Sequence, residues 1–406
     1  MEMNKRMLVL GINCFPELTG IGKYTGEMVQ WFAENGYETT VVTAPPYYPN
    51  WAVQQPYSGA WYRKEQINKN LQVYRCPLYV PSKPSGLKRL LHEMTFFASA
   101  FFVVCRLLFQ KKYDCIFAVA PPFHLGFLAL FYRFFKGGKI IYHIQDLQID
   151  AAKELNMLPE RLFPMLFGME RFLLNRVNVV STISEGMKKK VFAKSQNVVV
   201  LFPNWVDTEG FFPVADRDSL KSHWGFEPED KLVLYSGSIG EKQGLDGIIK
   251  VAGKLSDVDH VKFIICGNGP FKERLVQMAG ELGLQNVFFL PLQGHDVFNN
   301  FLNMADVHLV LQKADASDLV MPSKLTSILS VGGLALVTAN PGTTLYEVIF
   351  DHQMGVVIAP EDESALEQGI LSCFDERNEE KRKNARVYAL RYLNRNDILE
   401  RLVQDL

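Results

Sequence analysis

No stretch of this 406-residue chain has the composition of a disordered linker, since it contains neither a Gly/Ser tract nor a Gln/Asn tract. With 48% hydrophobic and 21% charged residues it can fill the cores of two globular domains. Cysteine is sparse. The six (Cys14, Cys76, Cys105, Cys115, Cys266 and Cys373) form no C-x-x-C pair and have no histidine at ligand spacing. This pattern argues against a zinc ribbon or a redox dithiol and for reduced core thiols in a cytoplasmic protein. No secretory leader is expected, because the apolar run Met7-Leu8-Val9-Leu10 is too short and enters a loop. Net charge is only −1, so nothing in the overall balance calls for a nucleic-acid partner. The balance is uneven, however. Residues 1–210 carry 24 Lys and Arg against 16 Asp and Glu, and residues 211–406 carry 19 against 28. The first half is the one suited to an anionic partner.

Short apolar runs followed by glycine loops are what the chain has in plenty. Met7–Gly11 reads as a buried parallel strand, followed by a loop ending in Gly20 and Gly22 and a helix from Lys23 to Asn35. Glycines before a helix let a ligand approach the backbone, and they equally serve a tight turn. The spacing is not G-x-G-x-x-G, which removes support for a dinucleotide-dependent oxidoreductase. Residues 44–62, rich in proline and aromatics, read as a long surface loop.

From Leu87 to Phe109 the sequence is crowded with Leu, Phe and Val and edged by Lys88, Arg89, Arg106, Lys111 and Lys112. Its uninterrupted apolar core, Phe96 to Cys105, falls well short of the ~20 residues that span a bilayer. A second such segment runs from Phe123 to Phe135, with Lys136 and Lys139 beyond. Both read as core helices over a parallel sheet, with aromatic and basic edges suited to an anionic membrane surface.

The strand Ile140–Ile144 runs into Gln145-Asp146-Leu147. Polar residues at the carboxyl end of a parallel strand are where such sheets place chemistry, which makes His143, Gln145 and Asp146 candidates. A local hydrogen-bonded loop explains them as well. Strands at Val177–Ile183 and Val198–Phe202 precede Pro203-Asn204-Trp205-Val206-Asp207, whose turn chemistry marks a domain boundary.

The second half repeats the scheme. Leu232–Ser236 leads into Gly237-Ser238-Ile239-Gly240-Glu241-Lys242-Gln243-Gly244, a glycine loop whose lysine could reach a phosphate. Val261–Cys266 leads into Gly267-Asn268-Gly269-Pro270, and Val307–Leu311 leads towards Pro322-Ser323-Lys324. The last stretch reads as a short helix begun by proline and stopped by Gly332-Gly333, with Lys324 at its positive end. It fits a phosphate site, and it also fits an ordinary packed helix with a solvated lysine. The D-x-D pairs Asp216-Arg217-Asp218 and Asp257-Val258-Asp259 lie outside predicted strand ends and read as surface turns.

Taken together, Pro-Glu-x-x-Gly-Ile-Gly, Thr182-Ile183-Ser184-Glu185, Pro203-Asn204-x-Val206-Asp207, the lysine-bearing glycine loop, Gly267-Asn268-Gly269-Pro270, Ala305-Asp306-Val307 and Pro322-Ser323-Lys324 resemble glycosyltransferase family 4 over essentially the whole chain. The resemblance implies the α/β GT-B fold, two facing Rossmann-like domains with a cleft between them. The expected division is 1–204 for an acceptor-side, membrane-facing domain, 205–385 for a donor domain and 386–406 for a helix packing back on the first. Within the family, Gln145-Asp146-Leu147, Gly240–Leu245 and Met321–Thr326 are similar to a branch of colanic acid and fucosaminyl transferases. That resemblance implies retaining transfer of a fucose-like or N-acetylated deoxy sugar from a UDP- or GDP-sugar, without a metal. The expected acceptor is a lipid-linked glycan at the inner face of the cytoplasmic membrane, in capsule, exopolysaccharide or O-antigen synthesis. Two glutamates usual in the family fall on Leu319 and Ser327, so Asp318 and Ser327 are the expected substitutes. The usual arginine falls on Ser238 and the usual lysine on Lys242 or Gln243. Expected donor contacts are therefore Gly20, Gly22, Ser238, Lys242, Gln243, Gly267, Asn268, Asp318, Pro322, Ser323 and Ser327. Asp146, His143 and Lys324 are the expected catalytic groups. A nucleotide-sugar 2-epimerase of the same fold and a non-catalytic scaffold of a polysaccharide assembly are the alternatives.

Overall fold

The structure is a computed structural model that describes residues 5–404 apart from 18–19, 60, 155–156, 259 and 315–321, and apart from the side chains of Lys242 and His295. The chain divides into two compact units, residues 1–203 with 401–406, and residues 204–400.

Unit 1 is built on an eight-stranded sheet. Its strands are β1 Arg6–Leu10, β2 Glu38–Thr43, β3 Arg63–Asn68, β4 Leu71–Arg75, β5 Cys115–Ala120, β6 Lys139–Ile144, β7 Val179–Thr182 and β8 Val199–Leu201. Their order in space is β3-β4-β2-β1-β5-β6-β7-β8, and every pair is parallel except β3 with β4. The apolar runs behave as expected of strands covered on both faces: β5, Cys-Ile-Phe-Ala-Val-Ala, is buried at every position. The exception is β3, Arg-Lys-Glu-Gln-Ile-Asn, a polar and largely exposed edge strand that no apolar pattern announced. Residues 44–62 hold no helix or strand among those described.

The helix Gly86–Leu107 buries Phe96, Ala100, Val103, Val104 and Leu107 in the core of unit 1. Its flank leaves Leu87, Leu91 and Phe102 exposed. By length and composition it could cross a membrane, but its packing is that of a helix laid on a sheet.

Unit 2 carries β9 Lys231–Ser236, β10 Val261–Cys266, β11 Val287–Leu290, β12 Val307–Val310, β13 Ala335–Thr338 and β14 Gly355–Ile358. The order is β11-β10-β9-β12-β13-β14, all parallel, with a core cluster on each face. In both units the strand order reverses beside the first strand, between β1 and β5 and between β9 and β12. Such reversals leave a crevice at the carboxyl ends of the strands, the usual ligand position in open α/β sheets.

Near the end of the chain, where a single helix was expected over 386–406, the structure has two, Glu379–Tyr392 and Arg395–Gln404. Between them Val206 bridges to Asn394, taking backbone hydrogen bonds from one turn to the next. Asn394 Oδ1 then accepts from the N–H groups of Asn396 and Asp397 and starts the new helix.

Candidate active site

In unit 2 the loops after β9 and β10 continue the pairing of their strands. Gly237 N–H donates to the Cys266 carbonyl at 2.9 Å, and Ile239 N–H donates to Asn268 O at 2.9 Å. The two backbones are so close that a Cβ on Gly267 would stand 1.9 Å from Gly237 O, and one on Gly269 would stand 2.1 Å from Ile239 O. Both glycines also have positive φ, +154° and +157°. Packing between loops therefore requires them, whatever ligand they face. Asn268 and Ser238 are exposed beside them. Ser238 O accepts the Tyr235 hydroxyl at 2.6 Å.

The turn Glu241–Gln243 is a single 3-10 turn. Gln243 closes it by accepting the Gly240 N–H at 3.1 Å, so its side-chain oxygen is committed to the loop itself. The backbone of Lys242 lies in this turn, and its side chain lies outside the described residues.

Lys324 opens the seven-residue helix Lys324–Ser330. Pro322 and Ser323 precede that helix rather than forming its first turn, and Pro322 O accepts the Leu325 N–H at 3.0 Å. The Lys324 ammonium stands 3.6 Å from the centre of the Tyr235 ring. It would be 3.1 Å from a Cβ placed on Gly237, so that glycine leaves it room. The Nζ atom is buried and has no hydrogen-bond partner among the described residues. Burial alone pulls its pKa from 10.5 to about 7. An aromatic face compensates a buried cation only in part, so the site suits an anion.

A second buried donor lies nearby in sequence order, past the end of β12. Gln312 Nε2 has no partner among the described residues, while the backbone of Gln312 is tied at both ends to Thr338 Oγ1, at 2.8 and 2.9 Å. Sequence reasoning missed Gln312, for which a polar residue directly after a buried apolar strand was the available signal. Ser327 is buried in the helix after Lys324. Asp318 and Leu319 lie outside the described residues.

Unit 1 places its candidates at several strand mouths. Gly20 begins the helix Gly20–Glu34 at φ +58°. A Cβ on Gly22 would meet Glu17 Oε2 at 2.5 Å. Glu17, given no role by sequence reasoning, is buried and accepts the N–H groups of Tyr47 and Tyr48 and the Asn13 amide, each at 2.9 Å. It thereby ties the loop after β1 to the loop after β2. Burial raises its pKa, while those hydrogen bonds oppose the shift.

Asp146 is partly buried on the bend after β6, and its carbonyl accepts the Gln148 N–H at 3.0 Å. His143 is a different case. Its polar character suggested a strand mouth, but its side chain is 2% exposed, lies 3.0 Å from Ser181 Oγ through Nδ1, and packs edge-on to Phe202. Burial lowers its pKa to about 3. These are the surroundings of a neutral packing histidine, and the structure does not bring it to the other candidates.

The D-x-D pair at Asp216 starts a short exposed turn: Asp216 Oδ1 accepts the Ser219 N–H, and Asp218 pairs with Lys221. Among the described residues, no group of three or more His, Cys, Asp or Glu side chains is placed to hold a metal ion.

These units match known proteins in sequence and in shape. Residues 19–205 match the glycosyl transferase 4-like domain, and residues 216–391 match the glycosyl transferases group 1 family. The chain is 41% identical to WcaI of Escherichia coli (strain K12), a glycosyl transferase assigned to colanic acid biosynthesis, over 99% of each. Among solved structures it resembles sucrose-phosphate synthase from Thermosynechococcus elongatus (TM-score 0.78, 14% identity, 98% of each chain). It also resembles HepE of Anabaena in complex with UDP and glucose (TM-score 0.70, 15% identity, 99% of each chain). With relatedness over its full length to one such enzyme and both halves matched by glycosyltransferase families, this chain belongs to glycosyltransferase family 4, and it is a glycosyltransferase of GT-B fold.

Proposed function

We propose that the chain transfers a fucose-like or N-acetylated deoxy sugar, with retention, from a UDP- or GDP-sugar to a lipid-linked glycan in capsule, exopolysaccharide or O-antigen synthesis. The observation that carries the reading is Lys324, a buried ammonium without a hydrogen-bond partner among the described residues, beside Tyr235 and Gly237 at the end of β9. A diphosphate is the anion that such a lysine would take, and Gln312 Nε2 would supply a further donor. The polysaccharide setting is supported by the likeness to WcaI. A nucleotide donor is supported by the fold shared with HepE, which was solved with UDP.

The transition state has oxocarbenium character, so the protein must stabilise the departing diphosphate and orient the acceptor. Lys324 does the first, supplying the charge that a metal supplies elsewhere, and the reaction is read as metal-independent. Ser238, Asn268, Lys242 and Asp318 would line the donor. Residues 1–204 would form the acceptor-side domain with Asp146 as its polar contact, 205–385 the donor domain, and 386–406 the returning segment. Exposed Phe102, Phe109, Phe134 and Phe135 beside basic residues support a peripheral position on the inner face of the cytoplasmic membrane.

Thermal unfolding with a panel of UDP- and GDP-sugars tests the donor site. One nucleotide sugar should raise the midpoint of the wild type and leave Lys324→Ala unmoved. The reading fails if no nucleotide sugar shifts the wild type, or if the variant shifts as far.

A further inference from the structure

Past the ends of β5 and β6, unit 1 holds a carboxylate that the reading above leaves unused. Glu93 lies in the first half of the helix Gly86–Leu107. Both of its oxygens face one amide group, Gln148 Nε2, at 2.8 and 2.9 Å. Chemistry fixes the orientation of that amide. Gln148 Oε1 receives the backbone N–H of Phe123 at 3.0 Å, and an N–H can only donate, so the Nε2 end must point at Glu93. Gln148 also donates its own backbone N–H to Asp146 O, which links the carboxylate to the bend where Asp146 sits.

His124 completes the group. Its ring shares a hydrogen bond with the backbone of Glu93 and packs edge-on to Phe97. A backbone oxygen can only accept, so the nitrogen facing it donates and the other, Nε2, carries a lone pair. That Nε2 is buried and has no partner among the described residues.

A structural role accounts poorly for this arrangement. A carboxylate offers about four acceptor positions, and one neutral amide fills only part of them. His124 Nε2 is a buried acceptor in want of a donor, and the Glu93 carboxylate, which takes the Gln148 amide on both oxygens, keeps spare acceptor capacity, both held at the carboxyl ends of parallel strands. Hydroxyl groups are the donors they would take, and a pyranose presents several in a fixed geometry.

We propose that Glu93 and His124, presented by Gln148, form a subsite for hydroxyls of the acceptor's terminal sugar, with Glu93 as a specificity-determining residue. The inference rests on the acceptor-side reading of unit 1.

Ionisation supports it. Burial raises the Glu93 pKa to about 7, against the opposing effects of Gln148 and Arg89. Burial lowers the pKa of His124 to about 4 and that of His92 below its ordinary value, and pushes Tyr47 upward. Hydrogen bonds to an ionised acceptor are the stronger ones, so sugar binding should tighten as Glu93 ionises.

Full-length protein titrated with methyl glycosides of glucose, galactose, N-acetylglucosamine and fucose, observed by saturation-transfer NMR, tests the subsite. At least one glycoside should bind the wild type, about tenfold more tightly at pH 8 than at pH 6, following the ionised fraction. Glu93→Gln should lose that pH dependence and bind at least about tenfold more weakly at pH 8, and His124→Phe should also weaken binding. Binding of no glycoside, or a wild-type affinity flat across this range, would overturn the subsite. So would a Glu93→Gln variant with wild-type affinity and profile. Nucleotide-sugar stabilisation read on the same samples separates the two ideas. Its absence removes the donor-site reading, whereas its persistence without glycoside binding removes the subsite alone.

Discussion

Lys324 Nζ lies 3.6 Å from the centre of the Tyr235 ring, and that aromatic face is the only favourable contact its charge makes among the described residues. The free protein therefore carries an energetic cost that a bound anion would remove. A lysine whose folded pKa is lowered to about 7 destabilises the fold fully below pH 7, and the cost fades as pH rises to its ordinary 10.5. Lys324→Met should accordingly raise the unliganded melting midpoint by a few degrees at pH 6, with the gain shrinking towards pH 10. Binding of a nucleotide diphosphate should draw a proton onto Lys324 at pH 8. Calorimetry in buffers of different ionisation enthalpy measures that uptake, which should vanish in the variant.

Gly267 makes a prediction of a different kind, because its cost is steric. An alanine there would place Cβ 1.9 Å from Gly237 O at a φ of +154°. Gly267→Ala should destabilise unit 2 by roughly 3 kcal/mol or more and abolish nucleotide-sugar stabilisation together with it. Gly280→Ala is the contrast. It lies in the helix Lys272–Glu281 with nothing within 4 Å of its Cβ position, and should be neutral or stabilising by up to about 1 kcal/mol. Denaturant titration of the two variants compares them directly.

What the sequence revealed follows from how local each feature is. The parallel strands were legible because β1, β9 and β10 are mainly apolar runs followed by glycine, and β5 is apolar throughout and stopped by Pro121-Pro122. Edge strand β3 was hidden, since Arg63–Asn68 has no apolar period and is held to β4 by backbone pairing and polar side-chain contacts such as Glu65 with Arg75. Lys324 was legible as a cation beside a glycine loop, but its burial against Tyr235 was not, because the two are 89 positions apart. Partners distant in sequence also decide the roles of His143 and Glu93. Ser181 on β7 satisfies the first inside the sheet, and Gln148 beyond β6 holds the second at a strand mouth. Residue type alone had suggested the reverse for His143.

Buried neutral histidines should govern acid unfolding. Burial lowers the pKa of His143 and His308 to about 3 and that of His124 to about 4, from 6.5. Each contributes stability that is present above pH 6.5 and is lost as pH falls towards the folded value, because the unfolded chain takes up the proton first. His143→Phe removes one such proton. Its stability should fall less steeply between pH 6 and 4, by about 1.4 kcal/mol per pH unit, whatever the packing change does to the absolute value. Equilibrium unfolding in urea across that range measures the slope, and an unchanged slope would mean that His143 is already charged in the fold.

The aromatic flank of unit 1 leads to the last prediction. Phe101 meets Phe131 at 5.0 Å, Phe131 meets Phe135 at 5.2 Å and Phe135 meets Phe134 at 5.0 Å, so one ladder of rings joins the helices Gly86–Leu107 and Leu125–Lys136. Its outer rungs are far from buried, with Phe134 82% and Phe135 58% exposed, and Phe109, just past the end of the first helix, is 93% exposed. Arg106, Lys111 and Lys112 are exposed next to Phe102 and Phe109 in the chain. Interfacial attachment combines buried apolar area with attraction to anionic lipid, about 1 kcal/mol per basic residue near the surface. Sedimentation should therefore show binding to vesicles rich in phosphatidylglycerol that weakens between 0.05 and ~0.5 M salt, and little binding to phosphatidylcholine. Replacing Phe134 and Phe135 by serine should weaken binding by at least about tenfold, since each ring buried in the interface is worth roughly 1.5–3 kcal/mol. Equal binding to both lipids, or an indifferent double variant, would leave the ladder without a membrane role.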